Sequence, residues 1–137
     1  MPLDPKTRAD LLAKAREARG GSYAPYSKIN VGAAVLSDDG RVTLGANVEN
    51  ASYGLTVCAE RNAIFAAVNG GAKRFSAIAV SVLGDLGDQK IPPDKLSPCG
   101  ACRQVMAEFM RDDAVVVVDG AKDYTLGELL PDAFRLD

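Results

Sequence analysis

Two short segments, Cys58-Ala59-Glu60 and Pro98-Cys99-Gly100-Ala101-Cys102, contain all three cysteines of this 137-residue chain. Three thiolates are soft ligands suited to zinc, and they leave one tetrahedral position free for water. Glu60, two residues after the first cysteine, supplies a carboxylate to take up and return that water's protons. In outline this is a hydrolytic centre. A C-x-x-C pair alone would also suit a thiol-redox or structural zinc site. A redox pair has no use for Cys58 or Glu60, however, and a closed structural site needs a fourth protein ligand.

The rest of the inventory narrows the chemistry. The chain has no histidine, which excludes a Ser-His-Asp triad, a Cys-His protease and an H-E-x-x-H zinc protease. Acid-base work therefore falls to a carboxylate. Three cysteines are too few, and odd in number, for a disulfide scaffold, and no N-terminal apolar segment reads as a secretory signal. A reducing cytoplasm is the expected location. With 47% hydrophobic residues the chain reads as one globular domain over 1–137, and a net charge of -2 gives no global attraction to nucleic acid. No apolar run has membrane-spanning length.

These side chains need elements to position them. Asp4-Pro5 introduces a helix over about 6–19, with Leu11, Leu12, Ala15 and Ala18 at helical spacing and Gly20-Gly21 as its stop. Strands are expected over Ile29–Leu36 and Val42–Val48, joined by the hairpin turn Asp38-Asp39-Gly40. A helix over 58–69 ends at Gly70-Gly71, and Phe75–Leu83 reads as a buried strand. A Gly/Asp/Pro-rich loop from Gly84 to Pro98 leads to a helix over about 99–111 and a strand over Ala114–Val118. Thr125-Leu126-Gly127-Glu128 has capping-box spacing for a short helix before Pro131. Alternating strands and helices imply an α/β layered sheet. Both cysteine clusters fall at helix N-termini, where free amide hydrogens and the helix dipole favour thiolates. Three thiolates also give the metal centre net negative charge, and Arg61 and Arg103 are the adjacent cations in sequence that can offset it.

The blocks Tyr23-Ala24-Pro25-Tyr26-Ser27-Lys28, Val31-Gly32-Ala33-Ala34, Asn47-Val48-Glu49-Asn50, Cys58-Ala59-Glu60-Arg61, Pro98 to Gln104 and Leu129 to Phe134 occur in an order that spans nearly the whole chain. Together they resemble the small, single-domain, homotetrameric cytidine deaminases, and C-A-E…P-C-G-A-C matches the zinc-deaminase signature. The resemblance implies a three-layer α/β/α fold with a five-stranded mixed sheet. It implies that Cys58, Cys99 and Cys102 bind Zn2+, that Glu60 is the proton shuttle, and that Arg61 tunes the charge of the site. Substrate contacts are implied for Asn47 and Glu49, on the ribose hydroxyls, and for Ala59, Ile29 and Phe134, the last reaching a neighbouring subunit's site. The implied reaction is hydrolytic deamination of cytidine and deoxycytidine, with release of ammonia.

One departure bears on substrate choice. Ile29 stands where the resembling block has a phenylalanine that packs against the base, so an apolar wall remains while aromatic contact is reduced. A modified cytosine nucleoside or a blasticidin S-like antibiotic is the alternative substrate on that ground. Against the antibiotic stands Asn47-x-Glu49, whose side chains suit the hydroxyls of a free ribose. No Lys/Arg cluster suggests a polynucleotide channel. Ala46, a cysteine in many relatives, leaves the three zinc ligands intact.

Overall fold

A computed structural model of the chain describes residues 3–84 and 90–136. Helix α1 spans Pro5–Ala18 and is capped by Asp4, whose carboxylate accepts from the Thr7 amide at 3.2 Å. Pro5 fills the first helical position, where a backbone donor would go unused. The Gly20-Gly21 stop takes the form of a 3-10 turn over Arg19–Gly21. Strands β1 (Asn30–Ser37) and β2 (Val42–Ala46) form the expected antiparallel hairpin, with Gly40 at φ 92° in the turn. Helix α2 (Ala59–Asn69), strand β3 (Phe75–Leu83), helix α3 (Gly100–Phe109) and strand β4 (Met110–Val118) follow. Strand β5 (Asp123–Thr125) and helix α4 (Leu126–Leu129) complete the chain.

The sheet order is β2-β1-β3-β4-β5. Only β3 and β4 are parallel, and α3 makes the crossover between them, so the five-stranded sheet is mixed. Period-two alternation sorts the strand residues into two cores. Ala34, Ala77, Ala79, Val115 and Val117 meet Leu11 and Ala15 of α1 on one face. Ala33, Val35, Ile78, Val80, Val116 and Val118 pack on the other face against Ala63 and Ile64 of α2, Met106 of α3 and Leu126 of α4. This is the three-layer α/β/α arrangement.

The N-terminal end of α2 reaches the sheet through a glycine. A Cβ placed on Gly45 of β2 would lie 2.7 Å from the Ala59 carbonyl oxygen and would overlap the Ala63 backbone. Asn62 fastens the same contact, donating from Nδ2 to the Ala46 carbonyl at 2.8 Å.

Several boundaries differ from expectation. The strand expected to reach Val48 ends at Ala46, beyond which Val48 bridges instead to Tyr23 and Val57. The helix expected to run to 111 ends at Phe109 and passes without a loop into β4, which starts at Met110 and not at Ala114. Arg111-Asp112-Asp113 hides this start: the register jumps from Phe75↔Met110 to Ala77↔Val115, and the three polar residues are exposed. Strand β5, with the single apolar residue Tyr124, is an addition to the expected elements and has no periodic pattern that would mark it in the sequence. The capping box at Thr125 is present, with the Glu128 amide donating to Thr125 Oγ1 at 3.2 Å. Within the expected loop from Gly84 to Pro98, residues 85–89 lie outside the described residues, and a 3-10 turn occupies Pro93–Lys95.

Candidate active site

The two cysteine clusters meet where α2 and α3 begin. Cys58 is the N-cap of α2, Cys99 is the N-cap of α3, and Cys102 lies in the first turn of α3. Their sulfurs all lie within 4.8 Å of one another, with Cys58–Cys99 at 3.8 Å and Cys99–Cys102 at 3.5 Å. Zinc–sulfur bonds of about 2.3 Å at tetrahedral angles require sulfurs roughly 3.8 Å apart, so the donor set fits a zinc ion in both type and spacing. Neither N-cap side chain bonds its own helix's amides, which leaves the sulfurs free to ligate.

Electrostatics divide the three thiols. Hydrogen bonds from Cys102, Arg61 and Cys99 stabilise the Cys58 thiolate and lower its pKa to about 5. The Arg61 contact runs from Nη2 to Cys58 Sγ at 3.4 Å. Cys102, fully buried beside that thiolate, is pushed far upward, first because its thiol proton is held in a hydrogen bond to Cys58, and then because a second negative charge there would be desolvated and repelled. Holding all three as thiolates therefore requires a cation among them, which is what a metal supplies. Arg61 is itself held more firmly protonated by the Cys58 sulfur.

Glu60 sits one residue inside α2 and is only 5% exposed. Burial is the main cause that raises its pKa to about 7, and the adjacent Cys58 thiolate adds to it. A carboxyl group tuned to neutrality can both accept and release a proton near pH 7. Ala59, between Cys58 and Glu60, is fully buried.

Arg103 does a different job from its neighbour in the charge argument. Its guanidinium donates to the carbonyls of Pro98 and Leu129, each at 2.7 Å, and to Ser97 Oγ at 2.9 Å. It thus fixes the backbone just ahead of Cys99 against the end of α4.

Asn47, Glu49 and Ile29 are gathered by the loop ahead of β1. Asn47 is 8% exposed and strongly engaged: its Oδ1 accepts from Ser22 Oγ at 2.6 Å and from the Val31 amide at 2.9 Å. Its Nδ2 donates to the Ile29 carbonyl at 2.9 Å, which leaves one amide hydrogen available. The Glu49 carboxylate accepts from the amides of Tyr26 and Ser27 at 3.0 and 3.1 Å, and from the Ser27 hydroxyl. Ile29 is half-buried. Sequence reasoning singled out neither serine, although short polar side chains in a loop commonly bond nearby backbone and carboxylate groups. Phe134 stands apart, with 69% of its surface exposed and its carbonyl accepting from Gln104 Nε2 at 2.9 Å.

Comparison with known proteins agrees with this geometry. The chain is 49% identical over 134 residues to a cytidine deaminase of Halalkalibacterium halodurans, covering 95% of this chain and 96% of that one. Its fold superposes on the crystal structure of cytidine deaminase from Burkholderia pseudomallei with a TM-score of 0.80, at 45% identity, covering 92% of this chain and 98% of that one. For the cytidine deaminase of Mycobacterium tuberculosis the TM-score is 0.79 at 40% identity, covering 98% and 100%. The family model described as the cytidine and deoxycytidylate deaminase zinc-binding region matches residues 5–118, which takes in every thiol of the cluster and Glu60. The protein is thus a member of the zinc-binding cytidine and deoxycytidylate deaminase family.

Proposed function

We propose that the protein hydrolyses cytidine and deoxycytidine to uridine and deoxyuridine, releasing ammonia. The observation that carries this reading is a buried carboxyl group, Glu60, tuned to about neutral pH beside three sulfurs at zinc-ligand spacing. Relatives that match nearly the whole chain are cytidine deaminases.

Cys58, Cys99 and Cys102 would hold the ion. Zinc supplies Lewis acidity that makes a water molecule nucleophilic near neutral pH. Glu60 takes the proton that this water loses as its oxygen bonds to C4 of the pyrimidine. The same carboxyl group returns that proton to the ring nitrogen N3, then takes the proton of the new C4 hydroxyl and delivers it to the amine, which leaves as ammonia as the C4–N4 bond breaks and the C4 carbonyl forms. Burial serves this cycle by keeping the two protonation states of Glu60 close in free energy. Arg61, on the Cys58 sulfur, offsets part of the thiolate charge.

Asn47 donates to a sugar hydroxyl and Glu49 accepts from one, while Ile29 flanks the base. Hydrogen bonds to the loop ahead of β1 and to Val31 of β1 fix both polar side chains before substrate arrives. Phe134 reaches the site of a neighbouring subunit in a homotetramer, and the protein acts in the cytoplasm. Among the described residues no helix is long and apolar enough to cross a membrane.

Replacing Glu60 tests the reading directly. Glu60→Ala should retain about one zinc per chain by metal analysis while turnover of cytidine falls by roughly 10²- to 10⁴-fold, the usual worth of a positioned acid-base group. Wild-type turnover in that variant, or a native protein that binds no zinc, would contradict it.

A further inference from the structure

We propose that Ser27 is a positioning residue for substrate: its hydroxyl, itself oriented by the Ile29 amide, aims the Glu49 carboxylate. This rests on the reading of Glu49 as the acceptor of a sugar hydroxyl. The loop carrying Ser27 runs alongside the segment carrying Glu49, with the Tyr23 amide donating to the Asn47 carbonyl at 2.9 Å and the Glu49 amide to the Tyr23 carbonyl at 2.8 Å. A tight turn follows, closed by the Lys28 amide on the Ala24 carbonyl at 3.1 Å, with Lys28 at φ 62°. A non-glycine residue in that region persists only where its surroundings hold it. The turn places Ser27 Oγ between two groups: it accepts from the Ile29 amide at 3.0 Å and donates to Glu49 Oε2.

The direction of this relay is fixed by the donors available. The Ile29 amide can only donate, so the serine oxygen accepts there, and its single hydrogen is left for the carboxylate. Glu49 then receives three donors: the Tyr26 and Ser27 amides on Oε1 and the Ser27 hydroxyl on Oε2. A carboxylate has about four acceptor positions, so one remains, on Oε2. Glu49 borders a cavity of about 320 Å³ shared with Tyr26, Ser27, Tyr53 and Thr56. Ser27 thereby sets which lone pair of Oε2 is left for substrate, and its hydrogen bond is the main cause that holds the carboxyl group ionised.

A double-mutant cycle on the zinc-loaded enzyme separates this role from a general effect on the loop. Ser27→Ala should lower kcat/KM for cytidine about tenfold, as expected for losing a hydrogen bond to a charged group that aims it. In the Glu49→Ala background the same change should cost less than about twofold, because no carboxylate remains to be aimed. Cytosine, which has no sugar, should be processed equally by wild type and Ser27→Ala. Ser27→Thr keeps the hydroxyl and should recover activity to within about threefold of wild type. A full tenfold loss on top of Glu49→Ala, an equal loss with cytosine, or a Ser27→Thr variant as impaired as Ser27→Ala would overturn the proposal. Undiminished cytidine turnover in Glu49→Ala alone would instead remove the sugar-acceptor reading beneath it.

Discussion

Arg61 is one of several donors that set the charge balance of the site. It lies against the Cys58 sulfur, and the Cys58 pKa of about 5 reflects hydrogen bonds from Cys102 first, then from Arg61 and Cys99. A lowered thiol pKa means that the thiolate predominates at pH 7 and is lost only as pH falls through about 5. In metal-stripped protein, the rate of Cys58 alkylation by iodoacetamide should therefore stay level from about pH 8 to 6 and drop near 5. Arg61→Ala should move that midpoint upward and weaken zinc binding by roughly tenfold in a chelator competition. A midpoint unchanged by Arg61→Ala would show that the guanidinium is an ordinary surface cation. The cysteines and Glu60 are legible in the sequence because few other residue types and spacings do their chemistry. The bonds from Ser22 to Asn47 and from Ser27 to Glu49 are not, since they depend on how a loop with Lys28 at positive φ turns.

At the scale of elements, the approach of α2 to β2 decides where Cys58 and Glu60 sit. Gly45 makes the approach possible, because a Cβ there would collide with the Ala59 carbonyl and the Ala63 backbone. Gly45→Ala should destabilise the fold by about 2–3 kcal/mol through overpacking. Because the displaced helix end carries Cys58 and Glu60, the proposed acid-base group, kcat/KM should fall as well, even below the melting transition. Thermal unfolding together with cytidine kinetics would check both. Unchanged stability would mean that α2 can shift without strain. The helices and the long apolar strands are legible from periodicity and stop signals, including Gly70 after α2 and the Thr125 capping box. The first half of β4 is not, because Arg111-Asp112-Asp113 extends from the edge of the core and carries no buried pattern. Strand β5 is too short to show a period, and only its pairing with Val115–Val117 makes it a strand.

For the molecule as a whole, the exposed apolar side chains bear on assembly. Phe134 is 69% exposed, and Tyr53 and Leu55 are also open to solvent in the isolated chain. Light scattering is expected to give a homotetramer, and Phe134→Ala should loosen it and lower kcat/KM together. A monomer that stays fully active at nanomolar concentration would contradict the shared site. The spacing of the ligands along the chain has a separate consequence, for folding. Cys58 and Cys99 are 41 residues apart, so the site exists only in the folded chain, and an ion bound there stabilises that state by mass action, by about 4 kcal/mol when free zinc is about 1,000 times its Kd. Chelation should then lower Tm by roughly 10 °C, and by the same amount in Glu60→Ala, which has lost chemistry but not the ligands. An unchanged Tm would mean that packing alone holds α2 and α3 together. On this account, scarcity of zinc would thin the population of folded chains as well as empty their active sites.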